Sequence, residues 1–257
     1  MSPVVSLGQL AADLRAGVLF CTRLPVPGAA TITGADIARA GWALPVAGAI
    51  VGLIAALVYG LARAADVPPF PAAGLTLVAS LVVTGCLHED GLADVADSFG
   101  ASARERKLEI MRDSKIGTYG ACALFMSLLL RSGALASIAE PALAALVLVA
   151  AHMAGRAGMP LFMRLVPPAR ADGLSVGVGT PPRASAIAAL LIGMLALGVG
   201  LGPAAGVCAF ALIAVAFASL AWLSVRQIGG QTGDVLGAFE QIGEIVVLLV
   251  AAANIGG

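Results

Sequence analysis

The sequence predicts an all-α fold, a polytopic integral membrane helical bundle of about seven transmembrane helices. Three observations predict it: composition, the spacing of apolar stretches, and the distribution of basic residues. Of 257 residues, 60% are hydrophobic and only 12% are charged, and the mean hydropathy is +0.99. Soluble domains carry about 25% charge, so this chain has too few charged groups to coat a water-facing surface.

A spanning helix needs about 20 mostly apolar residues to cross roughly 30 Å of hydrocarbon with every backbone amide satisfied internally. Seven stretches reach or approach that length: residues 43 to 63, 71 to 87, 119 to 138, 141 to 156, 185 to 201, 203 to 223 and 235 to 253. The second and fourth are short, so the expected range is six to eight spans. The apolar patch from Gly158 to Val166 is too short to cross and is expected to be re-entrant or interfacial.

With the N-terminus inside, 13 of the 15 Lys and Arg residues fall in cytoplasmic segments. These are Arg15, Arg23 and Arg39, then Arg104, Arg106, Lys107, Arg112 and Lys115, then Arg156, Arg164, Arg170 and Arg183, and last Arg226. Such asymmetry is the positive-inside pattern. It predicts one integral membrane domain over 1–257, with cytoplasmic loops at about 88–118, 157–184 and 224–234, and it puts any chemistry on the cytoplasmic face. The apolar run Val18 to Cys21 is too short for a signal-peptide core, so the N-terminus is expected to stay on that side.

Fifteen basic against fifteen acidic residues give no net charge, which argues against a nucleic-acid partner. The apolar content excludes intrinsic disorder. Cys21, Cys86, Cys122 and Cys208 are scattered without ligand spacing, so neither a zinc site nor a disulfide is expected. Gly48 with Gly52, Gly198 with Gly202, and Gly233 with Gly237 have the spacing of close helix packing. Neither a G-x-G-x-x-G nor a G-K-[ST] phosphate loop occurs.

The charge is concentrated between Glu89 and Lys115, where 12 of the chain's 30 charged residues fall within 27 positions. At 100° per residue, Asp90, Asp94 and Asp97 lie within roughly 60° of one another on a helix, one expected to continue the second apolar stretch directly. Three carboxylates on one stripe repel, more so beside a low-dielectric membrane, and need neutralising. Oxygen ligands of this kind suit Mg²⁺, which takes carboxylates together with substrate phosphates; a solvated helix face is the alternative. His88 points to nearly the opposite side and reads as a base, a partner of a ligand, or a hydrogen-bonded structural histidine. His152, in an apolar run, reads as structural.

Ser102 is an expected N-cap for a short interfacial helix over Arg104 to Met111. Next, Arg112-Asp113-Ser114-Lys115-Ile116-Gly117-Thr118-Tyr119-Gly120 offers two cations, hydroxyls and glycines just before a span, the parts of a phosphate clamp. Acids for a metal beside cations for phosphate oxygens make the parts list of metal-assisted phosphoryl transfer.

Gly229-Gly230-Gln231-Thr232-Gly233-Asp234 opens the last span, which also carries Glu240 and Glu244. Carboxylates within a span are functional by default, so Asp234 reads as a fourth metal ligand or as a helix cap, and Glu244 or Glu240 as a substrate contact. Arg131 in mid-span needs an anionic partner, one of these glutamates being an option.

His88-Glu89-Asp90-Gly91-Leu92-Ala93-Asp94-x-x-Asp97, Arg112 to Gly120, and Gly229-Gly230-x-Thr232-Gly233-Asp234-x-x-Gly237-Ala238 together resemble the cobalamin synthase family, the adenosylcobinamide-GDP ribazoletransferases. Thr22-Arg23-Leu24-Pro25 with Pro27, and Pro45 to Gly52, resemble that family's N-terminal features. Ser98 and Gln231 depart from it, standing where a glycine and an aliphatic residue are usual.

The resemblance implies a bacterial inner-membrane enzyme, dependent on Mg²⁺, that joins adenosylcobinamide-GDP to α-ribazole or its 5′-phosphate and releases GMP. It implies Asp90, Asp94 and His88 as catalytic residues and Glu89, Asp90, Asp94, Asp97 and Asp234 as metal ligands. Arg23, Arg112, Asp113, Lys115 and Glu244 are the implied substrate-binding residues. The partners expected are these two small molecules and the lipid bilayer, with assembly as a homo-oligomer left open. The competing readings are a CDP-alcohol phosphotransferase-like enzyme or a prenyltransferase, whose own motifs are missing, and a secondary transporter, which would place its charges near mid-membrane.

Overall fold

The computed structural model describes residues 6–27, 32–138 and 140–255. The chain begins with α1 (Leu7–Cys21), capped by Ser6, whose Oγ accepts from the Gln9 amide. Buried Asp13 accepts from Arg39 Nε at 2.9 Å and Trp42 Nε1 at 3.0 Å, pinning α1 to the chain that follows. There α2 (Gly34–Arg39) starts on a capping box of Thr33 and Asp36, and a 3₁₀ turn over Ala40–Ala43 leads into α3 (Leu44–Ala64).

Each of the seven expected spans corresponds to a helix. They are α3, α4 (Pro69–Thr84), α7 (Thr118–Ser137), α8 (Pro141–Ala157), α11 (Arg183–Leu201), α12 (Pro203–Ile228) and α13 (Gly233–Ile255). Six stretches are long and apolar enough to cross a bilayer alone, and α4 passes that test only when taken together with α5 (Leu87–Ser98), from which it bends away. The protein is therefore a multi-pass helical membrane bundle. Large apolar side chains such as Leu57, Val82, Leu195 and Val215 face outward, where lipid solvates them. Among the described residues there is no strand, only one isolated parallel bridge.

Two boundaries differ from expectation. The acidic stripe does not continue the second span: Gly85 (φ 66°) and Cys86 (φ 58°) both take the left-handed conformation, and α5 leaves α4 at 93°. Glycine adopts that conformation freely; a helix that ends on it turns sharply. Four acids in twelve residues make α5 no membrane segment, and we place it outside the spans. The patch after Gly158 is not a separate re-entrant piece: α9 (Met159–Leu165) prolongs α8, giving one stretch of 25 residues. Phe162 of α9 stacks with Phe217 and Phe239, ring centroids 4.9 and 5.7 Å away, joining α9 to α12 and α13.

Small residues mark the tightest seams, though not all the expected ones. Gly52 lets α3 approach the α8 backbone, since an added Cβ would lie 2.6 Å from Val149 Cα. Gly198 meets nothing, and Gly202 (φ 81°) forms the turn between α11 and α12, so that pair is not a packing seam. A Cβ on Gly91 of α5 would lie 2.7 Å from the Asp234 carbonyl oxygen of α13. Gly91→Ala is expected to force these helices apart and destabilise by about 1–3 kcal/mol, the usual effect of overpacking. Thermal unfolding of the purified variant in detergent checks it, an unchanged midpoint refuting the close-approach role.

Candidate active site

Three connections converge where α5 crosses the start of α13. Ala169 N donates to Gln231 O, and Gln231 N donates to Pro167 O, both at 2.8 Å, so the loop after α9 pairs with the Gly229–Gly230 turn. Arg104, at the start of α6 (Arg104–Ile110), locks this join by donating to Ile228 O at 2.8 Å and Ala169 O at 2.6 Å. The N-cap of α6 is Ala103, not the expected Ser102. Lys107 of α6 is buried and donates to Ser98 O, satisfying a carbonyl at the end of α5.

This scaffold sets Asp90 and Asp94 of α5 beside Asp234 of α13. Asp90 is exposed; Asp94 and Asp234 are half-buried. Asp90 lines two depressions. One, of about 230 Å³, also contains Asp94, Ser114 and Lys115. The other, of about 90 Å³, contains Asp234, Arg170 and His88. Asp234 accepts from Thr232 Oγ1 at 3.0 Å and faces Arg170 Nη2 at 3.7 Å, while Thr232 Oγ1 takes the cap position on Val235 N. The helix-capping role thus belongs to Thr232, leaving Asp234 free toward the pocket.

The carboxyl of Asp94 is pushed up to about 7, first by burial and then by Asp234, Asp90 and Asp97; Arg170 opposes the shift. Between the ordinary carboxylate value and about 7, the folded protein therefore binds more protons than the unfolded chain. This group's contribution makes the cation-free protein less stable as pH rises through that window. The mutual repulsion that raises the value is what a divalent cation relieves.

The remaining residues implied by the sequence have other partners. Asp97 accepts from Gly117 N at 2.6 Å and Gly120 N at 2.8 Å, so its carboxylate serves the N-terminus of α7. Those glycines are needed because a Cβ at either would meet the carboxylate. Glu89 is buried and accepts from Arg131 Nη2 at 3.1 Å and Gln241 Nε2 at 3.0 Å. Glu244 lies in the bundle interior against Arg131, Arg156 and His152, away from both depressions. His88 is buried, with Nδ1 3.3 Å from Arg156 Nη2 and 3.5 Å from Glu240 Oε2. Arg112 pairs with Asp172 at the surface, and Asp113 accepts from Lys115 N in a local turn. Arg23 sits over the α4–α5 bend, its amide donating to Val83 O and its side chain packing against Gly85.

Arg131, whose anionic partner the sequence leaves open, reaches Glu244 Oε2 through Nη1 at 3.0 Å. Among the described residues, His152, Glu240 and Glu244 form the one group of three acids or imidazoles with ligand atoms within 4.8 Å of one another. Arg156 pairs with both glutamates and Arg131 with one, so cations of the chain already hold this cluster. Asp90, Asp94 and Asp234 do not close to that spacing, a looser arrangement that fits an ion bound through few carboxylates and completed by substrate phosphates and water. In the sequence Arg170 and Arg156 count only among the basic residues of cytoplasmic segments; Arg156 instead lies fully buried in α8, where the glutamates of α13 neutralise it. Their roles depend on contacts with α13, and no local spacing announces them.

The family model described as cobalamin-5-phosphate synthase matches residues 13–252. An adenosylcobinamide-GDP ribazoletransferase of Bradyrhizobium diazoefficiens is 55% identical over 249 residues, covering 96% of both chains. That of Mesorhizobium japonicum is 49% identical, covering 95% of this chain and 94% of its own. That of Azorhizobium caulinodans is 44% identical over 94% of this chain and 95% of its own. No solved structure matches the chain.

Proposed function

Because the chain belongs to the cobalamin-5-phosphate synthase family, we propose that it transfers the cobinamide phosphate of adenosylcobinamide-GDP to α-ribazole or its 5′-phosphate. The products are GMP and adenosylcobalamin or its 5′-phosphate. What carries the reading, beyond similarity over nearly the whole chain, is the meeting of Asp90, Asp94 and Asp234 with Lys115 and Arg170 around two depressions that share Asp90. A two-substrate phosphoryl transfer needs acids to hold a cation, and bases and cations on either side of it.

Asp90, Asp94 and Asp234 would hold Mg²⁺, which when bound supplies charge neutralisation on the pyrophosphate and on the departing GMP. Lys115 and Ser114 bind the donor's phosphate oxygens in the larger groove. A ribose hydroxyl of the ribazole attacks the phosphorus attached to cobinamide, and Asp90 accepts its proton. The bond to GMP breaks, and GMP leaves with the electron pair. The excess of basic residues on one set of connections supports an inner-membrane protein with this site on the cytoplasmic side.

The test is incubation of the purified protein with both substrates, with and without Mg²⁺, followed by mass spectrometry. GMP and the joined corrinoid are expected only with the cation; no product under any divalent ion refutes the reading. Since protons and cation compete for Asp94, the apparent Mg²⁺ affinity is expected to rise with pH and level off above about 7. A pH-independent affinity between 5 and 8 would remove Asp94 from the ligands. Lys115→Ala is expected to raise KM for adenosylcobinamide-GDP about tenfold, the loss of one charge-assisted phosphate contact. An unchanged kcat/KM takes Lys115 out of the site.

A further inference from the structure

The pocket of about 90 Å³ beside Asp90 and Asp234 has a charged rim and an apolar floor. Asp90 is exposed, and Arg170 and Asp234 are half-buried, so they form the rim. The floor is made by Met159, Met163 and Leu236, all buried, with Phe20 at the end of α1. Set into that floor is His88, 2% exposed, with its Nε2 without any hydrogen-bond partner. A buried polar atom left unpaired is costly, and this one belongs to a residue lining a cavity that a ligand atom can enter.

The neighbours of His88 fix which kind. A guanidinium carries donors only, so Arg156 Nη2 at 3.3 Å from Nδ1 makes that nitrogen an acceptor. The imidazole proton then resides on Nε2, and the ring offers the pocket a single hydrogen-bond donor. Glu240 Oε2 lies 3.5 Å from Nδ1 but makes no hydrogen bond to it, whereas the Arg156 contact does have hydrogen-bond geometry.

We propose that this pocket binds the base of the acceptor nucleoside, a flat bicyclic azole whose one free ring nitrogen accepts from His88 Nε2–H while its ribose emerges between Asp90 and Asp234. The inference rests on the transfer reading above. Its chemistry matches on three counts. Benzimidazole, the ribazole base, is apolar along its edges apart from that nitrogen, as the floor is apolar apart from His88 and the buried Ser175 hydroxyl. Two methionine sulfurs beside an aromatic ring make favourable contacts. Guanine, the other base in the reaction, presents several N–H donors that need acceptors, and among the floor side chains only the Ser175 hydroxyl could accept one. The corrin ring is far too large for the pocket, even counting the roughly 600 Å³ of empty space that includes its mouth. The donor is thereby left to the groove on the other side of α5, with Asp90 shared between them. In this assignment His88 is a binding and orienting donor, not the base.

The test compares α-ribazole with its indole counterpart, in which the free ring nitrogen is replaced by CH. On the wild-type protein the indole riboside is expected to show a KM about tenfold higher, the loss of one buried hydrogen bond. His88→Phe is expected to raise KM for α-ribazole by that factor and to make the two acceptors equal, with KM for adenosylcobinamide-GDP unchanged. A general folding defect would not erase the difference between two acceptors. Met163→Trp, which fills the floor, is expected to raise KM for both acceptors at least tenfold and leave the donor's unchanged. Equal use of the two ribosides by the wild type overturns the proposal, as does a Met163→Trp effect on the donor alone. If the wild type releases no GMP at all, the transfer reading fails first. Calorimetric titration of α-ribazole into wild type and Met163→Trp then decides the pocket separately, with equal heats and affinities refuting it.

Discussion

Asp94→Asn is expected to lower turnover by at least about 10²-fold, the loss typical when one preorganised electrostatic stabiliser is removed. The substitution is nearly isosteric, and the structure gives Asp94 no hydrogen bond that an amide would break. What it removes is charge, at the carboxylate flanked by Asp90, Asp97 and Asp234. In the cation-free protein the change relieves repulsion, so Asp94→Asn is expected to unfold at a temperature no lower than wild type without Mg²⁺. Adding Mg²⁺ should stabilise wild type more than the variant, because a ligand that binds only the folded state stabilises in proportion to its affinity. Two measurements check this: GMP release at saturating substrates across a Mg²⁺ titration, and thermal unfolding with and without the ion. Near-normal turnover by the variant would remove Asp94 from the site. A variant that is slow only because it is less stable would show a lowered midpoint in both conditions.

The second large effect is on stability. Arg156 is fully buried and pairs with Glu240 and Glu244 while donating to His152 O at 2.9 Å and to His88 Nδ1. Together with Arg131 it offsets three buried carboxylates, Glu89, Glu240 and Glu244, so the cluster already holds one more acid than guanidinium. Arg156→Met leaves three glutamates against one arginine, with Glu240 stripped of its cation. Breaking a buried pair from one side typically destabilises by about 3–5 kcal/mol, far more than the pair contributes when intact. The variant is expected to accumulate poorly and to unfold well below wild type in detergent. The double variant Arg156→Met with Glu240→Gln, which removes the stranded charge, should recover much of that loss. A single variant as stable as wild type would show that the network holds nothing together.

Both expectations rest on contacts of different range, and that difference decides how much was legible beforehand. The spans could be read because hydrocarbon imposes a local requirement, about 20 apolar residues for each crossing. All seven expected stretches are helices. The break at Gly85 and Cys86 is not legible in the sequence because Cys86 is not a residue that favours a left-handed conformation. The continuation of α8 into α9 is equally hidden, because Gly158 followed by Met159-Pro160 looks like an ending, although proline at the start of a helical segment is tolerated.

The sequence alone therefore determined a multi-pass helical membrane protein, its charged segment near Asp90, and the motifs that place it in its family, since each is carried by neighbours along the chain. It could not sort its acids. Glu89, Asp97 and Glu244 carry the same carboxylate as Asp94 and sit in or near the same motifs. Yet Glu89 answers Arg131, 42 positions away, Asp97 answers an amide 20 positions away, and Glu244 answers Arg156 across 88. Only the packing of α5 against α7 and α13, and of α13 against α8, brings those partners in. A buried carboxylate must take whatever cation or amide the fold sets beside it, and those left without one, Asp90 and Asp94, face the open depressions.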